Sequence, residues 1–418
     1  MIKNFFQYFD LMKLERVILI DIIFFFFAAV LFFNFFLPQI ESKSFIENGA
    51  EFTQLAESLL SGKFDLMKIG NLDCSYQDQK CFWALGPAPA LLLLPFVFLF
   101  KFFEQFFFQG YLNFFLVIFV FSLCWILAAK FGFNVRDRFW LAFAFCFSSV
   151  FIGVALNSNS WYFSHTVNTL FLLLAFWEFF NKKRYWLIGI FLTFVFATRL
   201  NAGLSVIFFI LEIFFDKSNG LKAKARNFFL LVWPIICGLL FLGGYNLVRF
   251  GDFLDTGYSR ANNDLAVQQY LKENYGLFNI KYFLTNIYYS FLKFPEPIFD
   301  FGYMLKAPYF TVSPLGLSFF FVSPVFVKIF YADFSNSRIK FLWLSAILIL
   351  FSVLFYFNTG YFQFGPRYLI DLLPLLFILL LFGLKDRKLS WKIKSLILTS
   401  GFFNFYLYLN LLIAFRRI

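Results

Sequence analysis

The feature that most constrains this chain is a series of apolar stretches, each about 17 residues or longer, recurring from one end to the other. A stretch of that length crosses ~30 Å of hydrocarbon as a helix. Crossings are expected near 17–37, 112–130, 139–156, 164–180, 228–247, 310–330, 341–357, 367–383 and 395–414. The weak ten-residue alternation of a membrane β-barrel is absent. Only 14% of the residues are charged, against roughly a quarter in a soluble domain, so a water-soluble globule is excluded. The 76 phenylalanines, with runs such as Phe24 to Phe27, read as apolar filler at lipid-facing positions rather than as a motif.

Charge placement orients these crossings. The net charge is +12, which by itself suggests an anionic partner such as nucleic acid. Its distribution points elsewhere, because the linkers 1–16, 130–138, 181–186, 216–227, 331–340 and 384–394 hold 20 Lys/Arg against 6 Asp/Glu. By the positive-inside rule these linkers and the N-terminus are cytoplasmic, and the expected location is the inner (plasma) membrane. The first run, Val17 to Leu37, is too long for a signal-peptide core and lacks a small-residue cleavage site, so it reads as a retained helix.

Keeping every basic linker on one side resolves two ambiguous stretches. The run 86–103 carries Pro87, Pro89 and Pro95, which remove backbone donors, and crossing there would turn the next basic linkers outward. It is therefore expected to be a re-entrant or juxtamembrane outer helix. The run 187–215 is expected to form two short helices hinged at Thr198-Arg199-Leu200-Asn201. The result is a single all-α integral membrane domain, 1–418, of about eleven crossings. Its first external loop with juxtamembrane helix spans 38–111, and its second spans 249–309.

Chemistry has restricted material here. His165 is the only histidine, which leaves almost no material for histidine-based metal clusters or Ser-His-Asp triads. No phosphate-cradling glycine loop or dinucleotide fingerprint is present. Cys74 and Cys81 lie in the first external loop, where a disulfide and a pair of free thiols are both open readings. Polar residues gather instead at the outer helix ends. The first loop has Glu47, Glu51, Asp73 and Asp78. The outer turn that follows has Asn157, Asn159, Trp161, Tyr162 and His165. The second loop has Arg249 and Tyr258, and the last outer turn has Arg367, Tyr368 and Asp371. Arg367 and Asp371, four apart at a helix start, read either as a local ion pair or as substrate contacts. Trp161 and Tyr162 read as interfacial belt aromatics. Arg199, inside a helical hairpin, needs a partner or a wet cavity.

The order of these features resembles the GT-C superfamily of polytopic glycosyltransferases, over nearly the whole chain. The likeness rests on Leu55-Ala-Glu-Ser-Leu-Leu-Ser-Gly62 after the first helix and on Gly86-Pro-Ala-Pro-Ala-Leu-Leu-Leu-Leu-Pro95. It continues through Ala197-Thr-Arg199-Leu-Asn, the Tyr245-Asn246 to Tyr258 segment and Phe364-Gly-Pro-Arg367-Tyr368. The nearest subgroup is similar to dolichyl-phosphate-mannose protein mannosyltransferases and lipopolysaccharide sugar transferases. The resemblance implies a GT-C-like bundle that moves a sugar from a polyprenyl-phosphate donor in the lipid bilayer to a glycan, lipid or protein acceptor at the outer face. It implies no cofactor, leaves a divalent metal open, and gives no role to nucleic acid.

A phosphate leaving group needs cations rather than a strong acid, and the acceptor hydroxyl needs a carboxylate base. The implied base is Glu51 or Asp73, with Glu47 and Asp78 next. The implied substrate-binding residues are Arg199, Arg249, Tyr258, His165, Arg367 and Tyr368. The chain departs from the family in offering Glu47, Asn48 and Glu51 where an Asp is usual, and Asn157, Asn159 and His165 where relatives place another Asp. A lipid-linked sugar flippase or a non-catalytic membrane protein is the alternative.

Overall fold

The computed structural model describes residues 2–40, 49–66, 74–261, 266–385 and 388–416. In chain order the first half comprises α1 (Ile2–Leu31), α2 (Glu51–Leu60), the hairpin β1 (Cys74–Gln77) and β2 (Lys80–Trp83), α3 (Ala88–Phe102), α4 (Gln109–Lys130), α5 (Val135–Cys146) and α6 (Ser160–Asn181). It continues with α7 (Tyr185–Phe196), α8 (Val206–Phe215), α9 (Leu221–Phe250), α10 (Ala266–Tyr275) and α11 (Phe283–Ile287). The hairpin β3 (Glu296–Phe299) and β4 (Leu305–Thr311) and the helices α12 (Ser337–Leu354), α13 (Leu373–Leu384) and α14 (Trp391–Arg416) complete it.

Among the described residues seven helical segments are long and apolar enough to cross a membrane: Val17–Phe36, Gln109–Lys130, Ser160–Asn181, Leu221–Phe250, Ser337–Leu354, Arg367–Leu384 and Trp391–Ala414. They coincide with seven of the expected crossings, and the chain is a multi-pass membrane protein. The two remaining stretches are not continuous helices. In 139–156, α5 stops at Cys146 because serines take over the backbone groups. Ser149 Oγ donates to Phe145 O (2.5 Å) and accepts from Phe151 N (3.0 Å), while Val150 N donates to Ser323 Oγ (3.0 Å). A single turn, Ile152–Ala155, follows. In 310–330, Thr311 ends a strand, Gly316 sits at φ +96°, and only a turn at Phe319–Val322 and a 3-10 helix at Pro324–Tyr331 follow.

Polar side chains tie such irregular backbone to its neighbours inside the apolar bundle. Asn34 Nδ2 donates to Val30 O (2.8 Å) and Ala155 O (2.9 Å). Asn113 Nδ2 donates to Asn34 Oδ1 (3.0 Å) and Val154 O (3.2 Å). Around them the phenylalanines divide by face. Phe24 is lipid-exposed as expected, but Phe26 is fully buried, with ring centroids 5.0 Å from both Phe143 and Phe147.

The hinge expected in 187–215 is present. α7 ends at Phe196, Arg199 is extended (φ −144°, ψ 104°), and a 3-10 helix at Leu200–Ser205 leads into α8. The 15-residue α3, about 22 Å long at 1.5 Å per residue, begins against this hinge, where Ala88 N donates to Ala197 O (3.1 Å). Gly86 allows that approach, since a Cβ there would lie 2.1 Å from Ala197 O. α9 continues through Arg249 to Phe250 and is closed by Gly251 in the left-handed conformation, φ +74°.

Candidate active site

Between the starts of α2 and α6 and the turn that leads to Arg367 lies a cavity of about 240 Å³, walled among others by Glu51, Asn159, Trp161, Tyr162, Tyr258, Arg367 and Tyr368. Glu51 is the first residue of α2 and is buried; a helix N-terminus favours a carboxylate there. A knot of hydrogen bonds fixes this start to that of α6. Phe52 N donates to Ser160 Oγ (3.2 Å), Ser160 N donates to Gly49 O (2.9 Å), and Gln109 Nε2 donates to Ser158 O (2.5 Å) and Gly49 O (3.3 Å).

Arg367 opens a 3-10 helix, Arg367–Leu372, and is buried. Its guanidinium lies 5.0 Å from the ring centre of Tyr162, 5.5 Å from Tyr368 and 5.9 Å from Trp161. Its Nε has no hydrogen-bond partner, and no described carboxylate forms an ion pair with it. Aromatic faces hold a desolvated cation in place without neutralising it. The turn before it is organised by Gln363, whose Nε2 donates to Leu315 O (2.7 Å) and Thr359 O (2.8 Å) and whose Oε1 accepts from Arg367 N (3.3 Å). Tyr162 Oη donates to Phe362 O across the same turn. On the facing wall, burial pushes the Tyr258 phenol up to about 12, so it is a neutral donor at physiological pH.

Next to the cavity is a second layer centred on Asp371, which is fully buried and has partners on both carboxylate oxygens. Arg199 Nε lies 2.7 Å from Oδ1 and 2.8 Å from Oδ2. His165 Nδ1 is 3.0 Å from Oδ1, Asn168 Nδ2 3.4 Å from Oδ1, and Asn201 Nδ2 2.8 Å from Oδ2. The i, i+4 pair Arg367–Asp371 does not form. At three residues per turn, positions four apart no longer share a face, and Asp371 turns inward while Arg367 faces the cavity.

The structure thus brings Glu51, Tyr258, Arg367 and Tyr368 to one cavity and sets Arg199 and His165 in the layer below. Arg249 is elsewhere. Its Nη1 donates to Trp83 O (2.7 Å) and its Nη2 to Asn246 Oδ1 (2.7 Å), and it stacks 3.8 Å over Tyr245. Those contacts tie α9 to β2 rather than to the cavity. Asp78 is also away from it, exposed in the β1–β2 turn, where Asp78 (φ +50°) and Gln79 (φ +61°) adopt the paired positive φ of a two-residue hairpin. Glu47 and Asp73 lie outside the described residues.

Cys74 and Cys81 are joined in a disulfide, Cα to Cα 5.2 Å. The hairpin it closes is fastened to the second loop by Ser75 Oγ, which donates to Gly257 O (2.7 Å), and reaches the cavity wall through Trp83, 5.1 Å from Trp161.

The belt reading of Trp161 and Tyr162 is incomplete, because both line the cavity. Asn168 and Asn201 were not expected at the site. Asn168 sits one turn after His165 on α6, and Asn201 follows Arg199 by two, so their spacing is the only signal the sequence holds. Among the described residues no group of three His, Cys, Asp or Glu is placed to hold a metal ion.

No family profile and no curated protein sequence matches the chain. Its structure resembles that of ArnT from Cupriavidus metallidurans bound to undecaprenyl phosphate, with a TM-score of 0.52 at 11% identity over 90% of this chain. The chain spans 62% of the length of that protein. The likeness, together with the helix lengths, shows the architecture: the chain is an all-α integral membrane protein with a GT-C-like fold.

Proposed function

We infer that this chain is a membrane glycosyltransferase that moves a sugar from a polyprenyl-phosphate donor to an acceptor hydroxyl at the outer face of the inner membrane, with its N-terminus in the cytoplasm. One observation carries the reading: a carboxylate at a helix N-terminus, Glu51, and a buried cation with an unpartnered nitrogen, Arg367, wall the same cavity. Glu51 takes the proton from the acceptor hydroxyl as its oxygen attacks the anomeric carbon. The bond from that carbon to the phosphate oxygen breaks, and the lipid phosphate leaves with the electron pair. Arg367 stabilises the departing charge, with the Tyr258 and Tyr368 hydroxyls as further donors. The resemblance to ArnT bound to undecaprenyl phosphate supports the donor class.

The test separates binding from chemistry. Glu51→Gln is expected to slow turnover by roughly 10²–10⁴-fold while keeping donor binding. Asp73→Asn run beside it decides between the two carboxylates. Full turnover in both variants overturns the base assignment; donor binding without transfer in the parent chain supports a flippase instead.

A further inference from the structure

The stretch 249–309, on its charge an aqueous loop, contains a segment whose polarity is inverted. From Ile280 to Leu292 the chain is continuously helical, passing through a 3-10 turn, α11 and a π turn. Its inward face carries Tyr282, Asn286 and Ser290, all buried. Its outward face carries Ile280, Leu284, Tyr288 and Leu292, all exposed, with Leu284 at 75% against 2% for Asn286. A helix bathed in water shows the opposite arrangement. The inward face is held by Asn286 Nδ2, which donates to Leu354 O (2.9 Å) and Tyr356 O (2.7 Å) at the end of α12, satisfying carbonyls the helix leaves open. The segment therefore lies across the end of a spanning helix that shows a stripe of its own, Leu344, Ile347 and Phe351, to the bilayer.

The hairpin that follows exposes Phe301, Tyr303 and Met304 at its tip, beside Asp300, which is also exposed and whose Oδ1 accepts from Gly302 N (2.8 Å) and Met304 N (2.9 Å) within the turn. β4 is docked on α14, where Tyr406 Oη donates to Pro308 O and Asn410 Nδ2 donates to Phe310 O (3.3 Å). Those two residues stand eight and four positions before Ala414, where the apolar span ends, so at 1.5 Å per residue the hairpin meets α14 roughly 12 and 6 Å short of that end. An aqueous loop would meet the helix beyond its apolar part. Free strand edges do not occur in hydrocarbon, which sets the hairpin at the headgroup and upper acyl level. There Lys281 and Lys306, both exposed, keep their ammonium groups among lipid phosphates while their stems run along apolar surface.

We propose that residues 280–311 form a lipid-docking surface, with the stripe Ile280, Leu284, Tyr288 and Leu292 and the tip Phe301, Tyr303 and Met304 seated in the outer leaflet. This surface contains no residue assigned to catalysis and stands apart from the transferase reading. Its test uses the full chain with Cys124, Cys146 and Cys237 replaced by Ala, the Cys74–Cys81 disulfide kept, and single cysteines at Leu284, Leu292 or Phe301 carrying bimane. In proteoliposomes of phosphatidylcholine and phosphatidylglycerol, a bilayer nitroxide lipid is expected to quench all three labels. Aqueous iodide is expected to reach them several-fold less than a label at Gln79 in the β1–β2 turn. Iodide quenching equal to that at Gln79 overturns the proposal. Shielding from both quenchers also overturns it, in favour of a second copy or another protein on this face. These positions point away from the fold, so labelling leaves it intact, and an unchanged elution profile confirms that each sample is folded.

Discussion

Arg199 and Arg367 look alike in the sequence: each is an arginine among apolar residues at an outer helix end, and both read as phosphate binders. In the structure they occupy adjacent layers with opposite surroundings. Arg199 shares Asp371 with His165, Asn168 and Asn201 and has spent its charge inside the protein. Arg367 is surrounded by aromatic rings, keeps an unpartnered Nε, and faces a cavity. Burial does not distinguish them. What separates a structural cation from one awaiting an anion is whether a carboxylate has already reached it.

Variants can break this distinction. The largest effect is expected from Asp371→Ala, which leaves Arg199 buried and uncompensated; the loss is about 3–5 kcal/mol of stability, read as a fall in the denaturation midpoint in detergent. If the variant is as stable as the parent, the lower layer is not a closed network. Arg367→Ala should behave oppositely, moving the midpoint little but weakening binding of a polyprenyl phosphate by about 1.5–3 kcal/mol, the range for hydrogen bonds to charged groups. Equal donor affinity in the two proteins would erase the difference between the layers. Replacing Cys74 and Cys81 by serine tests the hairpin that backs the cavity wall, with an expected cost of roughly 2–3 kcal/mol from loop entropy. The smallest effect belongs to Asp78→Asn, since Asn adopts the left-handed turn conformation comfortably: turnover should be unchanged and stability should move by less than about 0.5 kcal/mol. A large fall in turnover would return Asp78 to the site.

Long apolar runs and one-sided basic linkers were enough to find the seven full spans and the hinge at 198–201, because sidedness is a global demand that local ambiguity cannot satisfy twice. The broken stretches were not legible in the same way. Ser149 looks like a minor polar residue in an apolar run, and only the backbone groups it captures reveal that the helix ends there. In 310–330 the signal was present as Pro314, Gly316 and Pro324, but mean hydropathy over the window hides it. At the site, Glu51, Tyr258, Arg367 and Tyr368 were reachable from the outward clustering of polar residues. The partner of Asp371 was not: Arg199 is 172 positions away, and the four-residue spacing to Arg367 promises a pair only if the backbone is α-helical.

The contact of Gly86 with Ala197 O bears on how such a chain tolerates change. At exposed apolar positions such as Phe24 or Phe98 any apolar side chain serves as well as another, so those sites can drift freely. Position 86 admits one residue type, because every other side chain begins with a Cβ that would sit 2.1 Å from a carbonyl oxygen. Substitution there would push the outer helix off the hinge that carries Arg199 and Asn201. A fold specified by many permissive positions and few exacting ones is one in which 11% identity still accompanies a shared architecture, and the few exacting positions are where an inherited change would be felt.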